Sequence, residues 1–491
     1  LLTIAEAKAR GDRDFAVDAL IEVREQRAAA VVANMEAQRA TVAAIQAETD
    51  ARKSEAVVKQ KLELLQTNLA DFERERELAE KRTGALPTRA DYQAVLASNF
   101  HNLAGLQFAT GNTTEAIDSY QKAIEARAML VVDHAQIADY RDVLATSYHS
   151  LANVHHETGD LDKAISYYNE AIAVREKLLE GNGRTPEYRS ALAESLFVLG
   201  DLQREQGNVV EAIRHLEKSL GLRNQLAAAN PTVAEYEWQL ATTLTSLGQL
   251  NQEADRPADA IGFFLEAVES WQSVVTNDAT NAENRLAYAD VCRSLGDVLL
   301  IAKGAPPALS WYSKSVEILT DLPVILAAQA NVAELITKAH AARATAFTEL
   351  GSYQEALVEF DQALLSVAET DRTRIRLDRA LILARTGRHD VATAEANNVV
   401  TNGATPELVF VAAKVLSVAS LTVRDDDSID NNIQGGLERQ YADQAVGHLQ
   451  ACRRANYFND AENVKRLEAD ADFHHLLKRT DVQLLLSRQQ N

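Results

Sequence analysis

Proline and glycine are scarce in this sequence, at 8 and 20 of 491 residues. Proline breaks helices by losing an amide donor, and glycine weakens them through its conformational freedom. Their scarcity therefore leaves room for long uninterrupted helices. Strand-like runs of β-branched residues are nearly absent, whereas the helix formers Ala, Leu, Glu and Gln abound. The chain is expected to be all-α. Only two cysteines occur, Cys292 and Cys452, and they form no CxxC motif, which excludes a disulfide framework and a cysteine-rich zinc site.

Positive charge is in deficit too: 50 Lys and Arg stand against 71 Asp and Glu, a net charge of −21. Such a field repels phosphate backbones, so no nucleic-acid partner is expected; its ordinary consequence is solubility. No stretch reaches the roughly 18 apolar residues of a spanning helix, so no membrane insertion by this chain is expected. The sequence opens Leu1-Leu2-Thr3 without Met, and the charged residues that follow contain no apolar leader core. A piece of a longer polypeptide is expected, with any targeting or membrane-tethering segment upstream.

What the sequence does contain is a repeat. Five segments align without gaps, opening at Tyr92, Tyr140, Tyr188, Tyr236 and Asn284, each 48 residues after the last. A Leu recurs at Leu103, Leu151, Leu199, Leu247 and Leu295. Next to it stands a small residue: Ala104, Ala152, Gly200, Gly248 and Gly296. A turn glycine follows at Gly111, Gly159 and Gly207, replaced by Asp255 and Lys303. Then come Ala116, Ala164, Ala212, Ala260 and Ala308, and after them Tyr120, Tyr168, Leu216, Phe264 and Tyr312. Large, small, turn, Ala and aromatic in this order is what two helices need to pack closely, and it resembles the tetratricopeptide (TPR) repeat.

A tetratricopeptide unit usually has about 34 residues, so each copy here carries about 14 more. That is close to four helical turns, and two extra turns per helix leave the apolar faces in register. The expected fold is a right-handed α-solenoid of long TPR-like helical hairpins. Five 48-residue repeats fill 85–325. Two shorter ones, with turn glycines Gly351 and Gly387, fill 326–401, and a helical cap fills 402–491.

Residues 1–84 read as a long helix or coiled-coil connector. Between Ala28 and Arg82 there is no Gly or Pro, and Val58, Leu62, Leu65, Leu69 and Phe72 follow heptad spacing. Two readings are open: a coiled coil through which the chain self-associates, or a helix packed on the first repeat. The stretch from Gly11 to Val23 resembles the turn and second helix of a truncated repeat.

No catalytic, cofactor or metal constellation emerges. His149, His155 and His156 lack converging further ligands. The acidic loop Arg424–Gly436 lacks the spacing of a calcium loop, and the Tyr-Arg-Asp at Tyr140 is repeat consensus rather than a kinase loop, since Ser147 stands where a kinase has Asn. In helix-pair solenoids the first helices line the concave face. Its register selects His101, Phe108, His149, Asn153, His156, Asp201, Arg204, Gln249, Arg293 and Asp297 as the candidate partner-binding groove. With only Arg204 and Arg293 cationic, this face does not suit a C-terminal carboxylate; a peptide with basic or amide groups suits it better.

The YRxxLA opening and the AxxxYxxAIxxR second helix are similar to the repeats of planctomycete-type serine/threonine protein kinases. So is the C-terminal stretch from Tyr441, with Leu467, Asp470, Asp472, Phe473, Leu476, Arg479 and Asp481. The resemblance implies a bacterial sensor or scaffold segment behind an N-terminal kinase domain and a membrane span. It brings no catalytic residue onto this chain. The expected function is non-catalytic binding of a protein or peptide, with structural self-assembly through the N-terminal helix as the alternative.

Overall fold

The computed structural model describes residues 89–487, apart from 182–184, 323–328, 367–368, 402–403 and 427–428. The expected N-terminal helix, its heptad seam and the truncated repeat lie outside the described residues. Among the described residues there are α-helices, short 3-10 turns and no strand. The chain divides into two compact units, the first ending at Ser195 and the second starting at Leu196.

The first unit contains two hairpins: α1 (Arg89–Ala109) with α2 (Thr113–Asp133), and α3 (Ala138–Glu157) with α4 (Leu161–Glu180). Helix α5 (Pro186–Glu205) begins there and runs into the second unit. The second unit continues with α6 (Val209–Ala229), α7 (Ala234–Glu253), α8 (Pro257–Asn277), α9 (Ala282–Lys303) and α10 (Ala305–Thr320). Except for α10, with 16 residues, these helices are 20 to 22 residues long. Helices α2, α4, α8 and α10 pack on their own first helices, and α2, α6 and α8 also pack on the first helix that follows. This is an α-solenoid of long TPR-like hairpins, and 48 residues is the length of one hairpin with its two turns.

The turn between the helices of a hairpin requires one residue in the left-handed region. Gly111, Gly159 and Gly207 supply it with φ of 80°, 80° and 77°. In the fourth hairpin Asp255 adopts it at φ 54°, as Asp tolerates better than most side chains. The fifth departs from the alignment: Lys303 stays helical, and Gly304 one residue later makes the turn at φ 81°. Helix α9 is accordingly the longest of the set, at 22 residues.

The small position next to the Leu is a notch for the aromatic of the second helix. A Cβ on Gly248 would lie 2.5 Å from the Phe264 ring, and one on Gly296 would lie 2.5 Å from the Tyr312 ring. Phe264 is fully buried and Tyr312 nearly so. The third hairpin uses Leu216, whose branch point would stand 2.9 Å from a Cβ on Gly200. In the first two, Ala104 and Ala152 occupy the position, both fully buried.

Beyond α10 come α11 (Ala330–Glu349), α12 (Tyr353–Ser366), α13 (Glu369–Arg385) and α14 (His389–Thr401), with left-handed glycines Gly351 and Gly387 at the turns. Then α15 (Pro406–Arg424) runs through the middle of a large apolar cluster, flanked by α13, α14 and α16 (Asn431–Arg454). With a mean hydropathy of 1.6, α15 alone among the described helices is long and apolar enough to cross a membrane, which the sequence reading passed over. Two-thirds of that stretch (67%) is buried inside the protein, which is the environment of a core helix. The chain after α16 folds back over it: Phe458, Leu467 (in α17, Ala461–Ala469), Phe473 and Leu476 are buried, ahead of α18 (Thr480–Ser487). Lys414 holds Asp470 at 2.7 Å and Asp472 at 3.2 Å, and Arg385 holds Asp472 at 2.7 Å. The acidic and apolar residues of the C-terminal motif thus fasten the end of the chain onto α15.

The same substitution should have opposite signs at two glycines. Gly248→Ala forces a methyl into the Phe264 ring and is expected to cost about 1–3 kcal/mol. Gly221→Ala, on exposed α6 surface with nothing within 4 Å of the new carbon, is expected to stabilise by about 0.5–1 kcal/mol. Urea unfolding of both variants checks this.

Candidate functional site

A guanidinium recurs between hairpins. Arg127 on α2 donates to the Val143 carbonyl at 2.6 Å and to Ser147 Oγ at 2.5 Å on α3. Arg175 on α4 repeats this with the Ala191 carbonyl at 3.1 Å and Ser195 Oγ on α5. Arg223 on α6 bonds the Gln239 carbonyl at 2.9 Å and Thr243 Oγ1 at 2.6 Å on α7. All three are buried. In the fourth hairpin Trp271 takes the position and donates from Nε1 to Thr245 Oγ1 at 3.0 Å, and Val291 stands where the accepting hydroxyl was. These arginines close the AxxxYxxAIxxR motif, which is how the sequence signalled them; what it concealed was their burial.

The candidate histidines belong to this layer. His101 Nδ1 lies 3.2 Å from Ser147 Oγ and 3.4 Å from Arg127 Nη1, with its ring edge-on to Tyr120 at 5.3 Å. His149 Nδ1 lies 2.9 Å from Ser195 Oγ, with its ring edge-on to Tyr168 at 5.3 Å. Burial and then the adjacent guanidinium (Arg127 for His101, Arg175 for His149) push both histidines down to about 4, so both are neutral at pH 7. Asn153 accepts from the Tyr168 hydroxyl. Phe108 packs on the cluster of Ala104, Tyr120, Leu151 and Val154. His156 is half-buried. In the first unit, then, the His101, Phe108, His149 and Asn153 side chains are engaged in holding helices together.

In the second unit four candidates converge. Arg204, Gln249, Arg293 and Asp297 line an open cleft of about 550 Å³ together with Gln252, Glu253 and Ser294. Arg204 pairs with Asp201 at 3.0 Å and with Glu253 at 3.5 Å. Arg293 pairs with Asp290 at 2.6 Å and with Asp297. Asp297 also accepts from the Tyr312 hydroxyl at 2.9 Å; burial raises its pKa against the pull of Arg293. Both guanidiniums are therefore already engaged by carboxylates, and Asp201, Glu253, Asp290 and Asp297 outnumber them. Glu253, four residues after Gln249 on the same face of α7, reaches Arg204 from the last turn of that helix; the sequence reading took its neighbour Gln252 instead.

Protonating His101 or His149 inside the folded chain is opposed, whereas the unfolded chain accepts those protons near pH 6.5. Their contribution to stability is therefore full above about pH 6.5 and lost progressively as pH falls toward about 4. Melting temperature measured from pH 7.5 to 4 is expected to fall over that window, and less steeply for His149→Gln than for the parent chain.

The tetratricopeptide-repeat sequence family matches residues 95–177 and, one hairpin on, 143–225. No curated protein sequence matches the chain. Solved structures similar to it include BtubC from P. vanneervenii, 19% identical, covering 51% of this chain and 89% of that one at a TM-score of 0.38. The apo form of RapI is 12% identical, covering 63% and 99% at 0.37. The kinesin-light-chain-like repeats of Podosopora anserina are 17% identical, covering 47% and 98% at 0.35. With the family match placed on the hairpins described above, the chain carries tetratricopeptide repeats over residues 95–225.

Proposed function

We propose that this chain is a non-catalytic scaffold that binds a polypeptide along the first-helix face of its second unit, with a Lys or Arg side chain of the partner seated in the cleft beside Glu253 and Asp297. The observation that carries the reading is the charge balance of that cleft. Its two arginines are neutralised from within, and the surplus is of acceptors. Gln249 and Gln252 add amides that can pair with a peptide backbone. The Arg204–Glu253 pair is solvent-exposed, and surface ion pairs are worth about 0–1 kcal/mol each, so exchanging it for a pair with an incoming cation costs little. A partner carboxylate would meet unneutralised acid.

The resemblance of the repeats and of the C-terminal stretch to planctomycete-type kinases supports a finer proposal, that the chain is the regulatory segment of a serine/threonine kinase. A gene sequence upstream of Leu1 that encodes catalytic Asp and metal-binding Asp motifs would support it, and one that encodes neither would end it.

Fluorescence anisotropy with labelled extended 12-residue peptides, Lys/Arg-rich and Asp/Glu-rich in matched pairs, tests the binding reading. Basic peptides are expected to bind, salt-sensitively, and the combined Glu253→Lys and Asp297→Asn variant should weaken them at least tenfold. Equal binding of acidic peptides, or unchanged binding by the folded variant, would contradict it.

A further inference from the structure

The polar layer that closes the first-helix face in the early hairpins is dismantled between α9 and α11. At the 48-residue spacing, Arg293 stands at the register of His101 and His149, Leu319 at that of Arg127, Arg175 and Arg223, and Ala339 at that of Ser147 and Ser195. Leu319 and Ala339 are buried in one apolar cluster. The guanidinium and the hydroxyl that received it are thus both replaced by hydrocarbon. An open slot of about 360 Å³ lies at this level. Leu286 and Ala287 of α9 and Leu335 of α11 form its apolar wall, each half-buried against the same cluster.

The charges of the slot cancel. Asp290 pairs with Arg293 at 2.6 Å, and Glu334 pairs with Lys338 at 2.6 Å. An incoming charge meets as much of one sign as of the other, whereas an incoming apolar side chain leaves water for a hydrocarbon wall. Arg293 also lines the acidic cleft of Arg204, Gln249, Glu253 and Asp297, so the two depressions meet at one side chain. Resting on the reading that a polypeptide seats a Lys or Arg in that cleft, we infer that the same polypeptide seats a large apolar side chain, of the size of Leu or Phe, in the slot, and passes over Arg293 between the two.

Along α9 the linings of cleft and slot are displaced by about six residues, roughly 9 Å. Across the face they are one first-helix step apart, about 10 Å. The diagonal is about 13 Å, close to four residues of extended chain. The partner is therefore bipartite: a basic residue and, about four residues away, an apolar one. The chain's own end is held by the same combination with the signs reversed. Asp472 pairs with Arg385 of α13 and Lys414 of α15, and Phe473 beside it is fully buried.

Fluorescence anisotropy with the full chain tests the inference. Basic peptides with Leu four residues before or after the Lys are compared with the same peptides carrying Ser in place of Leu. One of the two orders is expected to bind about tenfold tighter than its Ser counterpart. That gain should disappear in Leu335→Gln, which makes the wall polar, and in Ala287→Met, which narrows the slot, each verified as folded by circular dichroism. The preference for basic over acidic peptides should survive in both. In the combined Glu253→Lys and Asp297→Asn variant the preference should vanish and the gain from Leu persist. Basic peptides that bind the parent chain with no gain from Leu, or a gain left intact by both slot variants, would overturn the slot and leave the acidic cleft standing. A gain from Leu with no preference for basic peptides would remove the cleft instead, and failure of every peptide to bind would overturn both.

Discussion

The structure depends on one contact, an aromatic or leucine of each second helix seated in a notch that the first helix makes by carrying almost no side chain. Phe264 over Gly248 and Tyr312 over Gly296 are its tightest forms, since a single added carbon would stand 2.5 Å from either ring. The notch sets how near the two helices of a hairpin lie. That spacing places Leu103, Leu151, Leu199, Leu247 and Leu295 in the shared layer, where all are nearly or fully buried. Each hairpin can hide this stripe only against its own partner helix and the next hairpin, so stability is local and additive along the array. The long helices widen the contact without changing its logic.

The polar chemistry divides along the chain for a related reason. Where a second helix ends its apolar stripe in Arg127 or Arg175, the guanidinium reaches across to the next first helix, and polar side chains of the first-helix face gather round it. His101 and His149 are consumed in this way. Where Trp271 replaces the arginine, the layer is closed by an indole and one hydrogen bond. The polar residues of α7 and α9 are then left at an open surface. The cleft of Arg204, Gln249, Glu253, Arg293 and Asp297 is what remains.

Much of the fold was legible because periodicity is a property of spacing. The equal separation of Tyr92, Tyr140, Tyr188 and Tyr236 implied identical hairpins, and Gly111, Gly159 and Gly207 marked their turns. The fifth turn was misplaced by one residue because an alignment without gaps cannot show a helix lengthened by one position, from Lys303 to Gly304. The candidate site was less legible. Register says which side of a helix a residue occupies, but His149 and Gln249 share a side and differ in what faces them across the next layer. Glu253 escaped because Gln252 and Glu253, three and four residues after Gln249, both lie on its face, and spacing alone does not say which of them meets Arg204. The apolar α15 was passed over as a spanning-length helix because Lys414 sits at its centre; in the fold that lysine serves Asp470 and Asp472.

The central claim is that neighbouring hairpins alone order these helices. Peptide-resolved native-state hydrogen exchange across α1 to α10 in rising subdenaturing urea tests it most directly. Nearest-neighbour stacking predicts graded opening free energies, lowest at α1 and α2 and highest for hairpins with neighbours on both sides. A single opening free energy shared by every helix, reached together at one urea concentration, would contradict it.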